Sequence, residues 1–272
     1  MHHPITPPKT LLRRTGRAIG DFDMIREGDR ILLGVSGGKD SLSLLHILLH
    51  LQRRAPVRFE LGAVTVDPQV EGFDPSPLKE VMTGLGVPYF YRAQPIMEQA
   101  RENMGNDSFC AYCSRMKRGV MYDTARKHGY NVLALAQHLD DLAETFLMSA
   151  FHGGKLRTMQ ANYLNDAGDV RVIRPLVYVR ERQLAAFAEE ARLPVIRDNC
   201  PACFSMPMQR QHMKELLASE ERRNKGLFKS LLTVFTACSG NPILGKWETK
   251  PLNVMGISID ITPGLEFTRD TM

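Results

Sequence analysis

The sequence predicts an α/β protein built on a doubly wound parallel sheet, followed by a mostly helical C-terminal segment. Three observations carry that expectation. Short apolar runs alternate with helix-length stretches from residue 30 to residue 191. The run Ile31-Leu32-Leu33 passes through a glycine turn at Gly37 and Gly38 straight into the helical stretch Leu42-Ser43-Leu44-Leu45. Polar and acidic residues gather where strands should end, at 36–41, at Asp67 and at 137–141, which is where ligands sit in such sheets.

The elements follow in order. Residues 9–27 place Leu11, Leu12, Ala18, Ile19 and Phe22 among Lys9, Arg13, Arg14 and Arg17, the pattern of a short basic amphipathic helix. Then come strand 30–35, helix 41–53, strand 58–66, helix 77–85 and strand 88–92. Residues 93–108, rich in Gln, Asn, Met and Gly, read as a loop. A helix over 113–128, strand 131–136, helix 140–151, strand 170–174 and helix 180–191 complete the alternation. Residues 205–238 read as helical, and 239–272 carry Gly and Pro without a period. Three segments result: a basic N-terminal stretch 1–28, the α/β domain 29–204 and a C-terminal segment 205–272.

Composition excludes little. The 272 residues are 43% hydrophobic and 24% charged, ordinary globular values. No apolar run reaches the ~18 residues needed to cross a membrane, and Met1-His2-His3-Pro4 lacks a signal-peptide core. A cytoplasmic location is expected. The net charge of +5 mildly favours a polyanionic partner.

Residues 34–41, Gly-Val-Ser-Gly-Gly-Lys-Asp-Ser, are the strongest local signal. A strand, a glycine turn and a helix start without a spacer point backbone N–H groups and a helix dipole at one spot, a ready anion site. Gly37 and Gly38 permit close approach of a phosphate, and Lys39 adds positive charge. This is not a Walker loop: only Val35, Ser36 and Gly37 separate Gly34 from Gly38, and Asp40 follows Lys39.

Two carboxylates, Asp140 and Asp141, follow Gln137-His138-Leu139 at the expected start of a helix. One acidic residue suffices to complement a helix N-terminus. Two beside a polyphosphate site are better explained by magnesium, which prefers carboxylate, phosphate and water oxygens. Asp67, at the end of strand 58–66, either meets the adenosine half of a nucleotide or opens a turn with Pro68.

Cysteines supply the remaining chemistry. Cys110 and Cys113 form one C-x-x-C, Cys200 and Cys203 another, and Cys238 stands alone. In a cytosolic chain such pairs serve metals or redox chemistry more often than structural disulfides. Cys113 and Cys200 have 86 residues between them, so a shared site is assembled by the fold and not by a local zinc knuckle. That spacing leaves zinc and iron–sulfur both open.

The octet 34–41 resembles the signature of the PP-loop ATP pyrophosphatases, which cleave ATP between the α and β phosphates and grip the departing pyrophosphate on a Ser-Gly-Gly-x-Asp-Ser loop. The resemblance sharpens along the chain. Cys110-x-x-Cys113-x-Arg115-x-x-Arg118-Gly119, Gln137-His138-x-Asp140-Asp141-x-x-Glu144-Thr145, Gly153-Gly154-Lys155, Ile173-Arg174-Pro175-Leu176, Arg180-Glu181 and Cys200-x-x-Cys203 with Gln209-Arg210-Gln211 appear in order. Together these look like the tRNA 2-thiocytidine synthetase branch of the tRNA thiolation enzymes, over about residues 30–211.

That resemblance implies an ATP- and magnesium-dependent sulfurtransferase acting on a tRNA cytidine, with a [4Fe-4S] cluster on three cysteines. By position these are Cys110, Cys113 and one of the second pair; the family pattern selects Cys203 over Cys200. ATP is then expected on Ser36, Gly37, Gly38, Lys39, Asp40 and Ser41, with Asp67 and Gln137 nearby, and catalysis rests on Lys39, Asp40, Asp140 and Asp141. Arg13, Arg14, Arg17, Lys155, Arg157, Arg222, Arg223 and Lys225 are candidate tRNA phosphate contacts. A sulfur donor such as a cysteine desulfurase, and a homodimer, are implied by the family alone. Thiolation of a uridine, and a zinc-stabilised RNA-binding protein without sulfur chemistry, are the alternatives.

Overall fold

Alternation of side chains along the strands decides how the sheet is covered. A computed structural model describes residues 4–103, 109–196, 209–237, 252–254 and 257–259. The chain runs α1 (Lys9–Asp21), β1 (Asp29–Gly34), α2 (Lys39–Arg54), β2 (Phe59–Asp67), α3 (Ser76–Leu85), β3 (Tyr89–Ala93), α4 (Ile96–Asn103) and α5 (Phe109–His128). It continues through β4 (Val132–Ala134), α6 (Leu139–Gly153), β5 (Asn162–Leu164), β6 (Arg171–Ile173), α7 (Glu181–Glu190), α8 (Gln209–Arg223) and α9 (Leu227–Ala237). A short antiparallel pair, β7 (Leu252–Val254) and β8 (Ile257–Ile259), follows.

The six-stranded sheet has the order β3-β2-β1-β4-β6-β5, parallel except where β5 pairs antiparallel with β6. This is the doubly wound α/β sheet expected from the sequence. Strand β1 splits its residues between two cores: Ile31 and Leu33 face the larger one, and Leu32 faces the smaller. In β4, Val132 and Ala134 join the larger core and Leu133 the smaller. Helices α1, α2, α6, α7, α8 and α9 contribute to the larger core, and α5 covers the other face through Ala125 with Met121 and Tyr122. Burial on both faces explains why the central strands read as continuous apolar runs.

The departures from the sequence expectation are α4, β5 and the β7–β8 pair, the last within 239–272, where the sequence marks no element. Residues 96–103, read as loop, form α4, whose Ile96 and Ala100 are buried one helical turn apart. Strand β5 was unmarked in the sequence; Asn162 anchors it by donating to the backbone carbonyls of Phe22 and Asp23.

Gly62 in β2 pairs with Leu32 and lies under the Tyr130 side chain. A Cβ there would stand 2.3 Å from the Tyr130 hydroxyl and 2.6 Å from its ring carbon Cζ. Tyr130 is itself buried, so its ring cannot swing into solvent. Gly62→Ala is expected to destabilise the fold by about 1–3 kcal/mol, the range for overpacking. Urea unfolding checks this, and a loss below about 0.5 kcal/mol, typical of an open surface site, would contradict it.

Candidate active site

Strand order reverses between β1 and β4, since the chain fills the β2–β3 side first and then returns across β1. That switch point opens a crevice at the carboxyl ends of the strands. A cavity of about 300 Å³ lies there, lined by Gly34, Val35, Ser36, Gly38, Asp40 and Ser41 of the loop, by Val66, by Ala136, Gln137 and Asp141 after β4, and by Lys117 and Met121 of α5, while Gly37 and Lys39 stay outside the lining.

The glycine turn is held by its own side chains. Ser41 Oγ donates to the Gly38 carbonyl at 3.0 Å, and the Gly38 N–H donates to Ser36 Oγ at 3.3 Å. Gly37 has φ +87°, and a Cβ there would press on Ile196 at 3.0 Å, so backbone and packing both require glycine. The Ile196 N–H donates to the Gly37 carbonyl at 2.9 Å. Gly38 caps α2, which leaves the first N–H groups of that helix open toward the cavity.

Lys39 points out of the cavity wall, where its Nζ meets Asp40 Oδ2 at 3.2 Å and Glu181 Oε1 at 3.0 Å. Burial alone would lower the Lys39 pKa, but the charges and hydrogen bonds of Asp40 and Glu181 outweigh it and hold the ammonium above its ordinary value. Asp40 moves the other way for a carboxyl. Burial raises its pKa, against the pull of His138 and Lys39. Its Oδ1 is buried without a hydrogen-bond partner. Asp40 lines the cavity, and a magnesium ion held there would satisfy such an oxygen.

The two aspartates after β4 separate. Helix α6 begins at Leu139, and His138 caps it: the Asp141 N–H donates to His138 Nδ1, and the His138 N–H donates to Asp141 Oδ2 at 3.0 Å. Asp141 also lines the cavity, whereas Asp140 does not. Successive helical residues point about 100° apart, and Asp140 turns toward α7. There its carboxylate accepts from Arg180 Nε at 3.0 Å and from the Glu181 N–H at 2.7 Å. Asp67 also stays outside the cavity lining. Its Oδ1 accepts from the Gln69 N–H at 2.7 Å, as a turn-opening Asp does, and its Oδ2 accepts from Tyr91. Gln137 does line the cavity, with its Oε1 held at 3.0 Å by Nε of the buried Arg174.

Helix α8, whose Arg222 and Arg223 the sequence offers as phosphate contacts, closes this side of the site through residues the sequence does not single out for it. Arg210, Lys214, Leu217 and Glu221 recur at helical spacing, and all four meet the domain. Arg210 reaches Glu144 at 3.0 Å and Asp141 at 3.8 Å. Lys214 meets Glu181 at 2.8 Å, and Glu221 takes both Nη groups of Arg180 at 2.7 and 2.8 Å. The i, i+3/i+4 spacing was the available signal; the partners lie too far away in sequence to be read.

Glu181 thus sits between Lys214 and Lys39. Burial raises its pKa, but the two ammonium groups outweigh that and hold it down at about 2, from an ordinary 4.5. A carboxyl depressed on folding gives stability that is fully present above its unfolded pKa and is lost as pH falls through the folded one. Stability is therefore expected to fall between pH 4.5 and about 2, and Glu181→Gln should flatten that dependence. Unfolding midpoints measured across this pH window check it; an unchanged slope would remove Glu181 as the source.

The cysteines are only partly in view. Positions 110 and 113 lie one turn apart at the start of α5, and Cys113 is half-buried. The Cys110 side chain, and Cys200, Cys203 and Cys238 altogether, lie outside the described residues. Among the described residues, no three His, Cys, Asp or Glu side chains converge as metal ligands. No described helix is long and apolar enough to cross a membrane.

Comparison with known proteins agrees with this geometry. A family model described as a PP-loop domain matches residues 9–218. The chain is 45% identical over 225 residues to a tRNA-cytidine(32) 2-sulfurtransferase of Geobacter sulfurreducens, covering 82% of this chain and 88% of the relative. It is 42% identical over 241 residues to the protein of the same name from Citrifermentans bemidjiense, covering 87% and 93%. Among solved structures, the U34-tRNA thiolase NcsA from Methanococcus maripaludis, determined with its [4Fe-4S] cluster, superimposes with a TM-score of 0.70. That match covers 84% of this chain and 77% of the other at 21% identity, a likeness of fold. With its PP-loop at the switch point and these relatives along most of its length, the chain belongs to the tRNA-cytidine(32) 2-sulfurtransferase family of PP-loop proteins.

Proposed function

We propose that this chain replaces the C2 oxygen of a tRNA cytidine with sulfur at the expense of ATP. The observation that carries the reading is the cavity at the switch point. Ser36, Gly38, Asp40 and Ser41 at the start of α2, Lys117 of α5, and Gln137 and Asp141 after β4 all line it. Such a site takes a polyphosphate and leaves room for a base beside the α phosphate. The cytidine O2 attacks that phosphate, forming the O–P bond as pyrophosphate departs. A sulfur nucleophile then adds at C2, and AMP leaves with the old oxygen.

The chain's own groups share this work. The N–H groups at the start of α2 hold the phosphates, and Lys39, drawn from its carboxylates, neutralises the leaving pyrophosphate. Asp40 and Asp141 fit a magnesium ion held by one or two carboxylates and by phosphate oxygens, and that ion would supply charge neutralisation there. Asp140, bound to Arg180 and the Glu181 N–H, positions α7 against α6. Cys110 and Cys113 with Cys203 or Cys200 form a donor set suited to a [4Fe-4S] cluster, which when bound on three thiolates offers one open iron to sulfur. A cysteine desulfurase is a fitting sulfur donor, and the family points to a homodimeric cytoplasmic enzyme.

The decisive experiment incubates anaerobically reconstituted protein with tRNA, ATP, magnesium and sulfide, then analyses the digested nucleosides by mass spectrometry. 2-Thiocytidine with matching AMP and pyrophosphate is the expected result. 2-Thiouridine would reassign the base, and a colourless zinc protein without thiolated product would sink the reading.

A further inference from the structure

The last turn of α6 and the segment after it carry groups that the catalytic site does not use. Phe151 and Leu156 are 60% and 64% exposed, the two most exposed large apolar side chains among the described residues. His152, Lys155 and Arg157 are exposed between and beside them. No acidic residue occurs between Glu144 and Asp166. Among the described residues, neither Lys155 nor Arg157 has a carboxylate partner. Elsewhere around the site most cations are paired, so this stretch stands apart in charge as well as in exposure.

The segment is also fixed in place. Gly154 ends α6 in the left-handed conformation at φ 59°. The Lys155 N–H donates to the Ser149 carbonyl at 3.1 Å, and Ser149 Oγ donates to the Lys155 carbonyl at 2.7 Å. From there the chain runs back along the helix, because Thr158 Oγ1 donates to the Leu142 carbonyl at 2.6 Å, in the turn that follows Asp141. Two residues later, Arg174 grips the Gln160 carbonyl while its Nε holds Gln137 in the cavity wall. A rigid strap thus leads from Phe151 to the mouth of the site, a path of about 15 Å along the helix axis.

An exposed aromatic ring next to unpaired cations, on a rigid support and free of carboxylates, is the chemistry of single-stranded RNA recognition: bases stack on the ring and phosphates meet the cations. We propose that Phe151, Lys155, Leu156 and Arg157 form the surface on which an unpaired loop of tRNA docks. Phe151 stacks a base of the same loop away from the target, Lys155 and Arg157 neutralise nearby phosphates, and the target base leaves its stack for the cavity. The inference rests on the tRNA substrate proposed above.

The test measures binding of an unmodified tRNA transcript by fluorescence anisotropy across a salt series. Lys155→Gln/Arg157→Gln is expected to weaken binding about tenfold and to lower the salt slope by about 1.4, the share of two single-strand phosphates. Phe151→Ala is expected to cost about 5- to 100-fold with the slope unchanged, and Phe151→Trp to restore affinity. Arg53→Gln/Arg54→Gln, at the far end of α2, should bind like wild type, and all variants should keep wild-type affinity for ATP. Wild-type tRNA affinity in the strap variants overturns the proposal. So does a Phe151→Ala protein that changes from dimer to monomer without losing tRNA, which would make the strap a subunit interface. Failure of the wild-type protein itself to bind tRNA removes the substrate reading, and the docking surface with it.

Discussion

Lys39→Ala is expected to lower pyrophosphate release by about 10²- to 10³-fold, the usual loss when one donor to a developing charge is removed. The turn around it does not depend on the lysine, since Ser36, Ser41 and the Gly37–Ile196 contact hold it. Lys39 is held by two carboxylates, and its ammonium stays charged well into the alkaline range because of them. An incoming polyphosphate competes with those carboxylates for the same cation. Glu181 keeps Lys214 after the exchange, and Asp40 is left to face the phosphate side with its unpartnered Oδ1. The stability change should stay within about 1 kcal/mol, because the pairs lost are partly solvated. Pyrophosphate release and thermal unfolding, measured on the same preparation, separate the two effects. Near-normal release would remove Lys39 from the mechanism.

What the sequence revealed follows from physical range. The strand, turn and helix of residues 31–48 are contiguous and punctuated by glycine, so one local reading captures both the fold and the anion site. The parallel sheet was legible because Ile31, Leu32 and Leu33 are buried on both faces and show as an unbroken run. Helix α4 was missed because Gln, Asn and Gly around it signal loop, although Ile96 and Ala100 stand at the i, i+4 spacing of a buried stripe. Strand β5 spans three residues and is fixed by the carbonyls of Phe22 and Asp23, far away in sequence.

The site itself was half legible. Asp140 and Asp141 looked alike in the sequence, yet on α6 their side chains diverge: Asp141 lines the cavity and Asp140 is taken up by Arg180 and the Glu181 N–H. Glu181, Lys214 and Glu221 were invisible as a group because their partnerships cross from α7 to α2 and α8. Those ties place the first turn of α8 against Asp141 and its second against the carboxylate that holds Lys39. Charge on the nucleotide side and the docking of α8 are therefore linked through Glu181.

The second large effect concerns the cysteines. Cys110→Ala, Cys113→Ala and Cys203→Ala are each expected to abolish thiolation and to lose iron, whereas Cys200→Ala and Cys238→Ala keep both. A cluster held by three thiolates would leave one iron open to sulfur, and a fourth thiolate would fill that position. Positions 110 and 113 lie one turn apart in the first turns of α5. Arg115 and Lys117 follow in the same helix, and Lys117 also lines the cavity, so α5 carries both the C-x-x-C pair and a wall of the cavity. Each variant should be reconstituted anaerobically, its iron and sulfide counted, and its tRNA nucleosides analysed. Loss in Cys200→Ala with retention in Cys203→Ala would exchange the third ligand and leave the chemistry intact. Loss in both would mean four thiolates and a closed site, and the route for sulfur into this enzyme would have to lie elsewhere.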